Sequence, residues 1–361
     1  MRAALVDGEL VDGDVTIEDG TVAAVGVQPA GRAGLAVPGF VDAHINGFAG
    51  VDFLETDPEG YARAAAAMAA TGVVAFQATF VSSARDAYPP ALEVAAQGVP
   101  DGLPELLGVH LEGPFLSPVW AGAHDPACLL APDLSLAARL CELGPVTTMT
   151  LAPELPEGFE LVELLTGRGV MVSCGHSDAD APTAHAAYDR GARAITHVHN
   201  AHRRWAPRDP GLGGVALVRP DVWVQAIVDG VHLAPETAYL AFLAAGRRFC
   251  LVTDAIEAAT LGPGEYRLGN RRVRVEDGVV RLADGTIAGS ITSMDEGVRN
   301  LVECGAELPD AVHAASTAPA ALLGRDDLGA LRPGAPASLA VLDDELQVTR
   351  TLVRGAEAFA G

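Results

Sequence analysis

The chain has 361 residues, 49% of them hydrophobic, and its 24 basic against 47 acidic side chains give a formal charge of −23. That excess of acid repels nucleic acid and anionic lipid, so an anionic small ligand must be met by positive charge gathered locally. The five cysteines, Cys128, Cys141, Cys174, Cys250 and Cys304, are odd in number and form no C-x-x-C pair, which excludes a disulfide framework and a zinc knuckle as organising features.

The first residues, MRAALVDGELVDGDV, hold no signal-peptide core, and no apolar run reaches 18 residues. A cytoplasmic protein without a membrane partner is expected. Residues 1–37 alternate short β-like runs with Asp-Gly turns, at Asp7-Gly8, Asp12-Gly13 and Asp19-Gly20. Residues 331–361 return to the same style, with strands expected over 337–342 and 347–353. Together the ends predict one small β-sandwich module. Between them, residues 38–330 carry eight apolar runs, at 38–45, 73–80, 106–111, 146–151, 170–174, 194–198, 222–228 and 249–253, with Ala- and Leu-rich helical stretches between most of them. Eight buried strands alternating with helices predict an α/β fold, a (β/α)8 TIM-like barrel. Residues 265–289 break the rhythm and predict a β-hairpin inserted after the eighth strand.

In such a barrel the active site lies at the C-terminal strand ends. Six of the eight runs close on histidine or carboxylate: His44, His110 with Glu112, His176, His197 with His199, Asp229 with His232, and Asp254. Glu112, His176 and His197 offer one carboxylate and two imidazoles from three strands, a catalytic zinc set that leaves a fourth position for water. Asp254 is the candidate base beside that water. Arg203, Arg204 and Arg208 fall within six residues of the loop after the sixth strand. In a chain this acidic they suggest an anion clamp.

The motifs PGFVDAHING, GVHLEGPF, GAHDP, CGHSDA, THVHNA, DPGLGG, DGVH and LVTDA, in this order, resemble N-acetylglucosamine-6-phosphate deacetylases of the amidohydrolase superfamily. The resemblance spans nearly the whole chain. It implies metal-dependent hydrolysis of N-acetylglucosamine 6-phosphate to glucosamine 6-phosphate and acetate by a homodimer. Glu112, His176 and His197 would bind the metal, Asp254 would be the general acid/base, and His124 would hold the acetyl carbonyl. Ala123, Asn200, Ala201 and Met294 would contact the sugar, and Arg208 with His232 the phosphate, across a dimer interface.

Two departures matter. The superfamily's first-strand H-x-H is here His44-x-Asn46, and an amide is a weak zinc ligand. One divalent ion per chain, zinc, is therefore expected, with His44 near the site or part of a weaker second one. The family's aromatic and methionine in HLYNAM are replaced by His199 and His202. His110 reads as barrel core, His185 as an exposed helix residue and His313 as a packed one. Two other readings share the pattern: an amidohydrolase for a different N-acyl or cyclic amide, and a non-catalytic amino-sugar-phosphate binding protein.

Overall fold

The computed structural model describes residues 1–361. Eight parallel strands, Phe40–Ile45, Val73–Val81, Glu105–Glu112, Val146–Leu151, Met171–Cys174, Ala194–Ile195, Trp223–Ala226 and Phe249–Leu251, follow one another around a barrel. Both faces of these strands are covered, which is why they read as continuous apolar runs; all nine residues of the second are buried. Eight helices alternate with them, from Pro58–Ala69 to Met294–Glu303. Asp57, Asp133 and Asp180 cap three of these helices, accepting from the N–H groups of Gly60, Leu136 and Thr183 at 2.7, 2.9 and 2.9 Å. Each such cap is worth about 1 kcal/mol.

The first and eighth strands share no ladder. Their C-terminal ends are instead stitched by loop hydrogen bonds, Asp254 N–H to His44 O and Asn46 N–H to Ala255 O, both at 2.8 Å. Thr253 Oγ1 adds a bond to Asp42 Oδ2 at 2.5 Å. The seam of the barrel thus runs between His44 and Asp254.

Two apolar runs are longer than the strands they contain. The run at 38–45 divides at Gly39, because Leu35–Pro38 pairs in the terminal sheet and only Phe40–Ile45 enters the barrel. The run at 194–198 yields only Ala194–Ile195, since His197 leaves the extended region with a φ of 30°.

The two chain ends form one six-stranded sheet. Glu9–Asp12 pairs antiparallel with Ala3–Val6, which pairs parallel with Leu35–Pro38; that strand pairs antiparallel with Leu339–Leu342, followed by Val348–Val353 and Ala356–Ala360. The hairpin Asp14–Glu18/Thr21–Val27 packs on it through Val15 and Val22 against Leu331, Leu339 and Leu352. Thr351 Oγ1 donates to Ala69 O at 2.7 Å, tying this sheet to the first barrel helix. No helix is long and apolar enough to cross a membrane.

The insertion after the eighth strand is a three-stranded antiparallel sheet rather than a hairpin: Gly264–Leu268, Arg271–Glu276 and Val279–Arg281. Gly269-Asn270 supplies a turn that precedes Asp277-Gly278, with Gly269 at a φ of 54°. On its first side exposed Glu265 and Arg267 alternate with half-buried Tyr266 and buried Leu268. Gly269 N–H donates to Asp52 Oδ2 at 3.1 Å and Arg267 N–H to Glu257 Oε1 at 2.7 Å, fixing the sheet over the C-terminal end of the barrel.

Candidate active site

Beneath the strand ends lies a polar layer inside the barrel. Thr79 Oγ1, His110, Thr150, Thr196 and Ser173 link in a chain of contacts of 3.3, 2.7, 2.7 and 2.6 Å. His110 is spent on this chain; burial, then the cationic His44, hold its pKa well below the usual value. It supports the site from below, as barrel core.

Above this layer Glu112, His176 and His197 meet. Glu112 Oε1 lies 3.1 Å from His176 Nε2 and 3.0 Å from His197 Nε2, and the two nitrogens are 3.2 Å apart. The far side of each ring decides what these contacts are. His176 Nδ1 faces Trp120 O at 2.9 Å and His197 Nδ1 faces Asn200 O at 3.2 Å. A carbonyl only accepts, so each Nδ1 carries the proton and each neutral ring leaves a bare lone pair at Nε2. Three lone-pair atoms then face one another with no hydrogen among them, an arrangement that repels unless a cation sits between. A triangle of this size fits ligand atoms about 2.0–2.1 Å from one tetrahedral ion. His176 and His197 also hold left-handed φ values of 48° and 30°, and Asp254 one of 48°. Such non-glycine strain costs on the order of 1 kcal/mol or more per residue and gathers at functional sites.

A looser group of Glu112, His124 and His176 also brings ligand atoms within 4.8 Å of one another. His124 is a different kind of histidine. Its Nδ1 accepts from Ser82 N–H at 3.2 Å, so the neutral ring carries its proton on Nε2, which lies 3.5 Å from Glu112 Oε2. It presents an N–H donor rather than a lone pair. On the same carboxylate oxygen, His44 Nε2 stands 3.5 Å from Glu112 Oε2 and 3.2 Å from Asp254 Oδ1, and neither ring nitrogen of His44 makes a hydrogen bond. Asn46 turns its amide nitrogen to Asp254, donating to Oδ1 at 2.6 Å. Asp254 Oδ2 keeps no partner in the chain. Burial pushes the Asp254 carboxyl up, but His44 beside it outweighs this and holds the group below its usual range.

These groups form the floor of a cavity of about 580 Å³. Ala123, Asn200, Ala201 and His232 line it, together with His199 and His202. His232 Nδ1 faces Asp229 Oδ2 at 2.7 Å, while Asp229 Oδ1 accepts from Val231 N–H and His232 N–H. Burial lowers the His232 pKa, but the Asp229 bond and charge more than reverse it, so the ring holds its proton above the usual range. His202 Nε2 faces Thr196 O at 2.9 Å and its ring stacks on His197, with centroids 5.6 Å apart.

Two of the expected substrate contacts do not line the cavity of this chain. Arg208 is exposed and does not line the cavity, because the loop after the sixth strand turns away at Ala206–Asp209. Met294 is 1% exposed and packs in the hydrophobic core at the start of its helix. The arginine trio also separates. Arg203 is taken by Asp209 at 2.7 Å and Asp178 at 3.5 Å, leaving Arg204 as the member that lines the cavity. Unforeseen were the wall supplied by the inserted sheet, including Arg281, Thr286 and Ile287, and the Asp229 partner of His232. The i, i+3 spacing of Asp229 and His232 could have signalled the latter.

The Amidohydrolase family model matches residues 35–359. An N-acetylgalactosamine-6-phosphate deacetylase of Escherichia coli O157:H7 is 35% identical over 364 residues, covering 98% of this chain and 97% of the relative. The human N-acetylglucosamine-6-phosphate deacetylase is 39% identical over 342 residues, 89% of this chain and 82% of its own. Among solved structures, a mutant N-acetyl-D-glucosamine-6-phosphate deacetylase from Mycobacterium smegmatis, in complex with N-acetyl-D-glucosamine-6-phosphate, superposes with a TM-score of 0.94 at 33% identity over 99% of this chain and 98% of that one. The chain is an amidohydrolase and belongs to the N-acetylglucosamine-6-phosphate deacetylase family.

Proposed function

We propose that this chain hydrolyses the acetamide of N-acetylglucosamine 6-phosphate, giving acetate and glucosamine 6-phosphate, with one zinc ion held by Glu112, His176 and His197. The observation that carries the reading is the set of three bare acceptors at 3.0–3.2 Å, with a part-free carboxylate and an N–H donor beside it. A bound divalent ion there supplies Lewis-acid polarisation of the acetyl carbonyl and acidifies the attacking water. Asp254 Oδ2 takes the proton as water adds to the carbonyl carbon, then returns it to the amine nitrogen as the C–N bond breaks. Asn46 and His44 hold Oδ1 so that Oδ2 is the oxygen that exchanges the proton. His124 Nε2–H is the donor for the oxygen that gains charge. Ala123, Asn200 and Ala201 bound the sugar, with His232 toward its phosphate. With the His44 ring neutral, His44, Glu112 Oε2 and Asp254 would make a second cation position, a weaker one since Asn46 offers it a donor.

A sensor without catalysis would be expected to have lost a ligand or the base, and Glu112, His176, His197 and Asp254 all stand in place. A sugar phosphate does not cross membranes unaided, which fits work in the cytoplasm, and a homodimer is part of the same reading. Acetate release from N-acetylated glucosamine and galactosamine, each with and without the 6-phosphate, tests the substrate. Hydrolysis should require the phosphate. Equal turnover without it would overturn the reading. Metal analysis should find one tightly held zinc per chain, and two tightly held ions would count against the single site.

A further inference from the structure

The stretch between Ser117 and His124 has little packing of its own. None of residues 118–123 is buried, Val119 is 74% exposed, and the only regular structure is one 3-10 turn, Pro118–Trp120. Yet this stretch meets the site at two places. Trp120 O accepts the His176 Nδ1 proton, and Gly122 lies so close to the same ring that a Cβ there would stand 3.1 Å from His176 Cε1. A segment that gains so little from apolar burial needs another anchor to keep a carbonyl within hydrogen-bond reach of a ring.

One side-chain hydrogen bond supplies it. Trp120 Nε1 donates to Asp178 Oδ1 at 2.8 Å, and no other side chain from 117 to 123 makes a hydrogen bond. Asp178 is itself fixed. Its N–H donates to Glu154 Oε1 at 2.6 Å, and the neighbouring Ser177 Oγ donates to Glu154 Oε2 at 2.7 Å. Arg203 Nη1 donates to Asp178 O at 3.3 Å and stands 3.5 Å from Oδ2. Asp178 follows His176 by two residues, so the backbone that carries the ring also carries the group that grips the indole. The bonds close a circuit, from His176 to the Trp120 carbonyl, through the indole to Asp178, and along the chain back to His176.

We propose that Asp178 is a positioning residue for the metal centre: by gripping the Trp120 indole it holds the carbonyl that keeps His176 Nε2 free of a proton. The inference rests on the metal reading above and adds to it a pair of residues outside the ligand set. With the indole released, the Trp120 carbonyl is no longer aimed and His176 Nδ1–H loses its acceptor. The ring then also populates the tautomer protonated at Nε2, which has no lone pair to offer a cation.

The test measures zinc affinity of the whole chain, by competition with a chromophoric chelator, together with Tm of the metal-free protein. The variants are Trp120→Phe, Asp178→Ala, Asp178→Asn and the double variant of Trp120→Phe with Asp178→Ala. Trp120→Phe and Asp178→Ala should each weaken zinc about ten- to a hundredfold, as loss of a group that orients a ligand does. Both remove the same bond, so the double variant should bind zinc as either single one does. Asp178→Asn keeps an oxygen that accepts from the indole and should stay near the wild type. At saturating zinc, kcat in Trp120→Phe should largely return, because the ligands remain, and Tm of the metal-free protein should hold. Wild-type zinc affinity in Trp120→Phe would overturn the proposal, whether Tm holds or falls, and so would additive losses in the double variant. A raised KM with unchanged zinc affinity would make the indole a substrate contact instead. Asp178→Asn as weak as Asp178→Ala would assign the effect to the charge facing Arg203 and overturn the clasp. If Trp120→Phe does not fold, that comparison of Asn with Ala decides alone. A wild-type chain that binds no zinc would overturn the metal reading itself, and the clasp with it.

Discussion

At the floor of the cavity Glu112, His176 and His197 are at most 4% exposed, and the two imidazoles are pinned from behind by the carbonyls of Trp120 and Asn200. At the rim Arg204 and Arg281 are exposed, and Arg281 is steadied by one carbonyl on a sheet that interrupts the barrel. The floor is built for fixed geometry, with tautomers set by hydrogen bonds and strained backbone tolerated because the surrounding packing enforces it. The rim is built for charge, which acts over several ångströms and tolerates imprecise placement. Substitutions at the floor should therefore change the rate of the chemical step, and those at the rim should change the response to the phosphate.

The largest break in this contrast should come from Asp254. Asp254→Asn keeps an acceptor for Asn46 and the backbone bonds of the barrel seam while removing the proton carrier. Its kcat should fall by about 10²–10⁴-fold with metal content unchanged, as acid/base transfer typically contributes that much. Near-normal turnover would show that another group moves the proton.

His124→Phe sharpens the distinction between donor and ligand. If Nε2–H serves the developing oxyanion, kcat should drop about 10²–10³-fold and the metal should stay. Loss of the metal would instead make His124 a ligand, as the looser group with Glu112 and His176 allows. Because Ser82 N–H then loses its acceptor, the variant should also lose roughly 1–3 kcal/mol of stability, read as a shift in the denaturation midpoint.

The floor was legible in the sequence because a parallel strand ends where its apolar run ends, and in a closed barrel all such ends share one face. His44, Glu112, His176, His197 and Asp254 needed only the strand count to be brought together. The rim follows no such rule. The reach of the loop after the sixth strand depends on how Arg203 pairs with Asp209 and Asp178, and nothing in the order Arg203, Arg204, Arg208 says which one turns inward. Met294 shows the same limit: its place in a recognisable segment does not reveal that it starts a helix facing the core. Arg281 lies in a segment that breaks the barrel rhythm, and that the extra sheet folds back over the cavity is a tertiary fact.

The smallest expected effect lies between floor and rim, at the Asp229–His232 pair. Its geometry belongs to the floor, since both side chains are largely buried and 2.7 Å apart, but its charge belongs to the rim. The raised pKa of His232 means that the cation persists above the usual histidine range. The pair's contribution to stability, and any hold on the phosphate, is therefore full below the unfolded-state pKa of about 6.5. It is lost as pH rises through the higher folded-state value. KM for the phosphorylated sugar should rise across that window while KM for the unphosphorylated sugar stays level. Asp229→Asn removes the carboxylate that holds the proton, so the rise should begin at lower pH, with KM about tenfold higher near neutrality. Asp254 cannot mimic this, because its pKa is lowered and it titrates on the acid side, affecting both substrates through kcat. A pH profile with parallel KM curves for the two sugars would remove His232 from the phosphate site and leave it a structural partner of Asp229.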